Sequence, residues 1–173
     1  MPEESRRIVA MMFSDIVGYT AAMGADEETA IRVVSRSREV QKELVRTFGG
    51  QWLQEIGDGA MCSFESAVKA VSCALEIQRA LRDDPDLKLA IGIHVGDVVF
   101  RKTDIGYDVF GDAVNVAARV QSIAGAGGIT ISERVYDDMR NRKGVEFEFL
   151  GEKQLKNVNR CNKHTSVNKP VDK

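Results

Sequence analysis

Two aspartates in this sequence stand where divalent cations could bind. Asp15 follows the apolar run 8–13 in a turn-like stretch, and Asp58 lies between two glycines at the tip of a predicted β-hairpin. Magnesium takes one or two carboxylates plus substrate phosphates, and two metals about 3.5–4 Å apart can activate an attacking oxygen and clamp a leaving phosphate. Each aspartate alone is more typical of an ordinary strand end or turn than of a metal site. A metal site therefore requires that the fold bring them together.

The turn after Asp15 could bind phosphate. It offers backbone N–H groups from Ile16 to Thr20, close to a predicted helix start. Such amides, at the positive end of a helix, form a cradle for anions, and a triphosphate would fit there.

A second polar pair lies on a predicted helix that begins near Gly111 and Asp112, with Asp112 as a candidate cap. Asn115 and Arg119 are four residues apart, so they lie one above the other, opposite an apolar stripe. A bidentate cation beside an amide suits a phosphate or another charged oxygen. The alternative is an amphipathic helix whose polar face meets only water.

The elements that must position these residues follow the order strand, helix, two strands, helix, strand. They are predicted at residues 8–13, 26–48, 51–56, 60–64, 67–81 and 87–100. This order predicts the α+β class, with a ferredoxin-like βαββαβ core and an antiparallel sheet that has its helices on one face. In that arrangement the first strand ends beside the central hairpin, so we expect Asp15 to lie close to Asp58.

The rest of the chain is predicted to form an α/β extension. Within the last core strand, at 87–100, Gly92 and Gly96 indicate a bulge or a close backbone approach. Residues 101–107 are polar and are expected to form a protruding arm, and Ser132 is expected to cap a short helix that ends at Met139. We expect one domain over residues 1–160. Residues 161–173 should form a weak last strand and a frayed end.

The composition is that of an ordinary globular protein, with 43% hydrophobic and 29% charged residues. The net charge of −2 and the scattered basic residues give no reason to expect nucleic-acid binding. Three cysteines without CxxC spacing argue against a disulfide framework or a zinc site. No apolar run approaches the roughly 20 residues that span a bilayer, so we expect a cytoplasmic chain without membrane contact. It could be one part of a larger protein.

Four segments carry a resemblance to a known family. They read FSDIVGYT at 13–20, IGDG at 56–59, DVFGDAVNVAAR at 108–119 and GEKQLKN at 151–157. In this order and spacing they resemble the motifs of the class III nucleotidyl cyclase catalytic domain, over roughly residues 6–160. The resemblance implies a head-to-tail homodimer that makes a cyclic nucleotide and pyrophosphate in intracellular signalling.

The resemblance also implies roles for the site residues in one protomer. Asp15 and Asp58, with Ile16, would hold two Mg²⁺ or Mn²⁺ ions. The residues that would contact the triphosphate are Gly18, Tyr19, Thr20 and Lys156.

The partner subunit would complete the site, by the same resemblance. It would supply Asp108 toward the base and Asn115 to orient the ribose, while its Arg119 stabilises charge on the reacting phosphate. The ribose 3′-oxygen would attack the α-phosphate. Catalysis would then consist of positioning and charge stabilisation.

Gln54 departs from the family pattern. Adenylate cyclases usually carry Lys four residues before the second metal aspartate, and guanylate cyclases usually carry Glu. Glutamine can donate and accept, so it can serve adenine N1 or guanine O6. Asp108 is the adenylate-type partner, because a carboxylate accepts from the adenine 6-amino group and opposes guanine O6. ATP is therefore expected. The alternatives are a guanylate or dual-specificity cyclase and a weakly active or non-catalytic regulatory module.

Overall fold

Two long strands form the centre of the sheet, because they carry apolar side chains on both faces and both faces must be buried. The computed structural model describes residues 3–154 and 161–168. Strand β1 (Glu4–Ile16) pairs antiparallel with β4 (Leu89–Thr103) along its whole length. In β1, Ala10, Met11 and Met12 are all at most 1% exposed, so consecutive side chains are buried on opposite faces.

The remaining strands of the core form a hairpin beside β1. Strands β2 (Gln51–Ile56) and β3 (Gly59–Phe64) pair antiparallel, and β3 also pairs antiparallel with β1. The sheet order is therefore β2-β3-β1-β4. This order confirms the predicted ferredoxin-like core.

The core helices lie on one face of the sheet, as predicted. Helix α1 (Tyr19–Ala25) is short, whereas α2 (Glu27–Thr47) and α3 (Ala67–Leu81) are long and amphipathic. Their first turns are capped by Asp26, which accepts from the Thr29 N–H at 3.3 Å, and by Ser66, which accepts from Lys69. Both helices pack into one apolar cluster with side chains of β1, β3 and β4.

Helix α4 (Asp112–Ser122) belongs to the extension and packs on the opposite face of the sheet. Two glycines of β4 permit this contact. A Cβ at Gly92 would lie 2.2 Å from the backbone N of Gln121, and one at Gly96 would lie 2.5 Å from Ala113 Cβ. The close backbone approach predicted for these glycines is thus confirmed.

The expected arm is a β-hairpin, because β5 (Gly106–Phe110) pairs antiparallel with the end of β4. The extension then continues with β6 (Ile129–Ser132), α5 (Glu133–Met139), β7 (Glu146–Gln154) and β8 (Cys161–Asn168). Strand β6 is parallel to β4, and β8, the expected last strand, lies between β6 and β7. Ser132 occupies the N-cap of α5 but makes no side-chain capping bond; its Oγ lies 2.7 Å from His94 Nδ1.

Candidate active site

The structure brings Asp15 and Asp58 together. Asp15 is the penultimate residue of β1, and Asp58 occupies the two-residue tip between β2 and β3. The backbone N–H of Ile16 donates to Asp58 Oδ2 at 3.1 Å, and the two carboxyl groups are close enough for Asp58 to raise the pKa of Asp15. The neighbouring strand ends therefore meet as the predicted strand order required.

A glycine makes this approach possible. A Cβ at Gly59 would lie 2.1 Å from the backbone oxygen of Ser14, which is well inside any permitted contact. The hairpin tip can therefore lie against the end of β1 only because position 59 has no side chain.

The pair of carboxyl groups is electrostatically strained without a cation. Partial burial, the hydrogen bond that protonated Asp15 donates to the Asp58 carboxylate and the negative charge of Asp58 together raise the pKa of Asp15 from 3.8 to about 6, although the Ile16 N–H opposes the shift. A divalent cation would relieve this repulsion. Within residues 3–154 and 161–168, no third acidic, histidine or cysteine side chain joins the group. Two carboxylates with open positions suit Mg²⁺ or Mn²⁺, which retain water or bind substrate phosphate.

The raised pKa of Asp15 predicts a pH dependence of folding in EDTA. The folded chain binds this proton more tightly than the unfolded chain, so stability should fall as pH rises from about 4 to about 6 and then level off. We expect the contribution to be about 1 kcal/mol, since Asp15 is only partly buried and solvent screens its charge. Urea unfolding of the wild type and of Asp15→Asn from pH 4 to 8 measures it. Parallel profiles for the two proteins would contradict the assignment.

The turn after Asp15 offers fewer free amides than the sequence suggested. The N–H of Ile16 is bound to Asp58, and that of Val17 donates to Lys88 O at 2.9 Å. Gly18 has a φ of 77° and precedes α1, whose first N–H groups have no acceptor within the helix. Of the amides predicted to form the cradle, those of Gly18, Tyr19 and Thr20 are the ones left for an external anion.

Asn115 and Arg119 lie together on the face of α4 that points away from the sheet. Asn115 is exposed and Arg119 is half-buried, while Val116 and Val120 are buried on the other side of the helix. Among the described residues, none forms an ion pair with Arg119. The guanidinium and the amide are therefore available to an external anion.

Asp112 is not the cap of this helix, contrary to the prediction. The N-cap is Gly111, with no side-chain capping bond, and Asp112 is the first helical residue. Gly111 has a φ of 137°, and a Cβ there would lie 2.9 Å from Asp97 O. The backbone conformation and the contact both select glycine.

A single chain cannot bring Asp108 to the carboxylate pair. Asp108 lies on β5 opposite Arg101, whereas Asp15 lies on β1 opposite Ala90. Arg101 follows Ala90 by eleven residue steps along β4, which corresponds to roughly 36 Å at about 3.3 Å per residue. A site that contains both aspartates therefore needs two chains.

Gln54 lies on the same face of the sheet as Asp15. It is opposite Met61 on β3, and Met61 is opposite Phe13 on β1, two residues before Asp15. A bulge at Leu53 shifts the register between Trp52 and Gln54. Gln54 is exposed there and can be reached by a bound base.

Two further residues near the site were not identified from the sequence. Ser37 and Gln41 of α2 are at most 1% exposed, and Gln41 Oε1 accepts from Ser14 Oγ at 2.7 Å. Polar residues at the buried positions of an otherwise apolar helix stripe are the signal that could have found them. Lys156, predicted to contact the triphosphate, lies outside the described residues.

The chain is similar to proteins of one family. The profile of the adenylate and guanylate cyclase catalytic domain matches residues 1–167. A Rhizobium meliloti protein, provisionally named adenylate cyclase 3, is 36% identical over 92% of this chain, which spans 28% of that protein. The receptor-type guanylate cyclase Gyc76C of Drosophila melanogaster is 34% identical over 73% of this chain and 10% of its own length. The chain thus spans less than a third of these relatives.

Solved structures agree with this similarity. The crystal structure of an adenylate/guanylate cyclase/hydrolase from Silicibacter pomeroyi superposes with a TM-score of 0.85 and 33% identity, covering 95% of this chain and 98% of that one.

In the part of the chain that the structure describes, no helix is long and apolar enough to cross a membrane.

Proposed function

Since the chain belongs to the adenylate and guanylate cyclase catalytic domain family, we propose that it is an adenylate cyclase that works as a head-to-tail homodimer. It converts ATP into 3′,5′-cyclic AMP and pyrophosphate. The observation that supports this most directly is the convergence of Asp15 and Asp58 at the end of β1. Because ATP is an intracellular substrate, the proposal includes a cytoplasmic role in signalling, with neither nucleic acid nor membrane as a partner of this segment.

One protomer binds the metal ions and the triphosphate. Asp15, Asp58 and the main chain at Ile16 would hold two Mg²⁺ or Mn²⁺ ions, which when bound would lower the pKa of the ribose 3′-hydroxyl and neutralise charge on the β- and γ-phosphates. The amides of Gly18 to Thr20 bind phosphate oxygens at the start of α1. Lys156 is proposed to contact the triphosphate as well.

The partner subunit supplies the groups that act on the ribose and the reacting phosphate. Asn115 of the partner subunit orients the ribose, and Arg119 of the partner subunit stabilises charge as the 3′-oxygen attacks the α-phosphate. Two observations support this division. Asn115 and Arg119 face away from their own sheet, and Asp108 is roughly 36 Å along β4 from its own carboxylate pair.

Base selection rests on Gln54 and the partner's Asp108. The Asp108 carboxylate accepts from the adenine 6-amino group and would repel guanine O6, so ATP is preferred. Gln54 can rotate its amide to suit either purine, so it adds little discrimination. The guanylate cyclase relative at 34% identity makes a dual-specificity enzyme the second candidate.

Product formation from ATP and from GTP, measured separately with Mn²⁺, tests this proposal. We expect the ATP rate to exceed the GTP rate by about tenfold, since an unmet buried polar group costs about 1–3 kcal/mol. Gln54→Lys should raise the ratio of the ATP rate to the GTP rate, and Gln54→Glu should lower it. Equal rates would favour a dual-specificity cyclase. No turnover with either nucleotide, despite binding, would favour a non-catalytic module; Asp15→Ala sets the background rate.

A further inference from the structure

Arg38 of α2 holds the hairpin that carries Asp58. Its Nη2 donates to Gly57 O at 2.9 Å, and its Nη1 lies 3.4 Å from Glu55 Oε2. Glu55 is also bound by Lys42, whose Nζ lies 3.0 Å from Oε1. One guanidinium therefore fixes the backbone immediately before Asp58 and the side chain of the residue after Gln54.

The same helix also holds the strand that carries Asp15. Ser14 Oγ donates to Gln41 Oε1 at 2.7 Å, and Gln41 Nε2 donates to Ser37 Oγ at 2.9 Å. Because these side chains are buried, their hydrogen bonds are shielded from water and fix the position of Ser14. Helix α2 is thus hydrogen bonded to the residue before each aspartate, Ser14 and Gly57, and it lies on the face of the sheet opposite α4.

The hairpin tip needs such support. Asp58 lies at the tip beside the end of β1 that carries Asp15, so the two carboxylates repel each other when both are ionised, and this repulsion pushes the tip away from β1. Among the described residues, the contacts at the tip that oppose it are the Ile16 N–H to Asp58 and Arg38 to Gly57. The Nε of Arg38 is buried without a hydrogen-bond partner in the described chain, so the contacts of Arg38 with Gly57 and Glu55 come at a cost in free energy.

We propose that Arg38 is a positioning residue that sets the separation of Asp15 and Asp58 and thereby the affinity for divalent cations. This inference rests on the proposed function, in which those carboxylates hold the metal ions. Arg38 touches neither metal nor substrate; it acts through the Gly57 carbonyl and Glu55, as outer groups do when they orient ligands.

Mn²⁺ titration of the nucleotide-free protein, followed by electron paramagnetic resonance, tests the inference. Arg38→Met keeps the length of the side chain and removes its donors, so Mn²⁺ affinity should fall by about tenfold. Arg38→Lys keeps one donor group, so its Mn²⁺ affinity should lie between that of the wild type and that of Arg38→Met. Cyclase activity of Arg38→Met should recover at high Mn²⁺, with a raised KM for the metal and a nearly unchanged kcat.

Two variants of the same helix serve as controls. Arg36→Met removes an ion pair to Asp84, at 3.1 Å, that does not involve the hairpin, so Mn²⁺ affinity should stay at the wild-type value. Lys42→Met removes the other partner of Glu55 and leaves the Gly57 contact intact. Its effect should be smaller than that of Arg38→Met, and an equal effect would overturn the role of the Gly57 contact.

The outcomes separate this inference from the proposed function. If Asp58→Asn binds Mn²⁺ as well as the wild type does, or if the wild type binds no Mn²⁺ at all, the proposed function fails. If the wild type binds Mn²⁺ through Asp58 but Arg38→Met binds as tightly as Arg36→Met, the inference fails. Far-UV circular dichroism checks folding, and if Arg38→Met does not fold, Arg38→Lys decides the question: wild-type affinity in that variant overturns the inference.

Discussion

Mixing an Asp15→Ala chain with an Arg119→Ala chain is expected to restore cyclase activity that neither chain has alone. In the proposed homodimer each site takes its carboxylates from one protomer and its arginine from the other. Each variant alone therefore damages both sites and should lose activity by about 10³-fold. In a mixed dimer one site carries both changes and the other carries none. Random pairing of equal amounts should return roughly a quarter of the wild-type sites.

The matched control is a mixture of Asp15→Ala with Asp58→Ala. Both residues serve the same half of the site, so every site in every dimer lacks one carboxylate and the rate should stay at background. Sedimentation equilibrium confirms that dimers form, and cyclic AMP is measured over a range of total protein. Recovery in the control mixture, or none in the test mixture once dimers have formed, would refute the shared site.

The elements that could be predicted are those whose signal is local. Helix α2 was expected at residues 26–48 and runs from Glu27 to Thr47, because its apolar spacing, Asp26 cap and following glycines agree. Strand β5 was missed. Its residues, Gly106–Phe110, are mostly exposed, so their strand conformation depends on pairing with β4 across a hairpin rather than on a buried face. The register shift at Leu53 has the same origin, since pairing with β3 sets it.

In the candidate site, too, some features could be predicted from the sequence and others depended on packing. The proximity of Asp15 and Asp58 followed from the strand order alone, because any ferredoxin-like arrangement places the end of the first strand beside the central hairpin. Arg38 did not follow from the sequence. Its contact with Gly57 spans 19 residues and depends on how α2 rotates over the sheet, which packing decides. An arginine on the polar side of a helix gives no sign of that contact.

Gly59→Ala is expected to separate the metal carboxylates. The new Cβ would lie 2.1 Å from Ser14 O, a backbone atom held in the β1–β3 ladder, so no side chain can move aside to relieve the clash. The start of β3 must shift away from β1 and take Asp58 with it. Because a displacement of about 1 Å can cost 10²-fold in rate, we expect activity with Mn²⁺ to fall by about 10²-fold and Mn²⁺ binding to weaken.

Gly57→Ala is the matched control on the other side of Asp58. A Cβ there meets nothing within 4 Å, but Gly57 has a φ of 58°, so alanine costs about 1 kcal/mol of backbone strain without forcing the strands apart. Unfolding midpoints in urea measure that cost, and both variants should be assayed where each is fully folded. Equal activity in the two variants would show that the spacing of β1 and β3 does not control the site. A loss confined to Gly59→Ala would tie activity to the distance between the two aspartates.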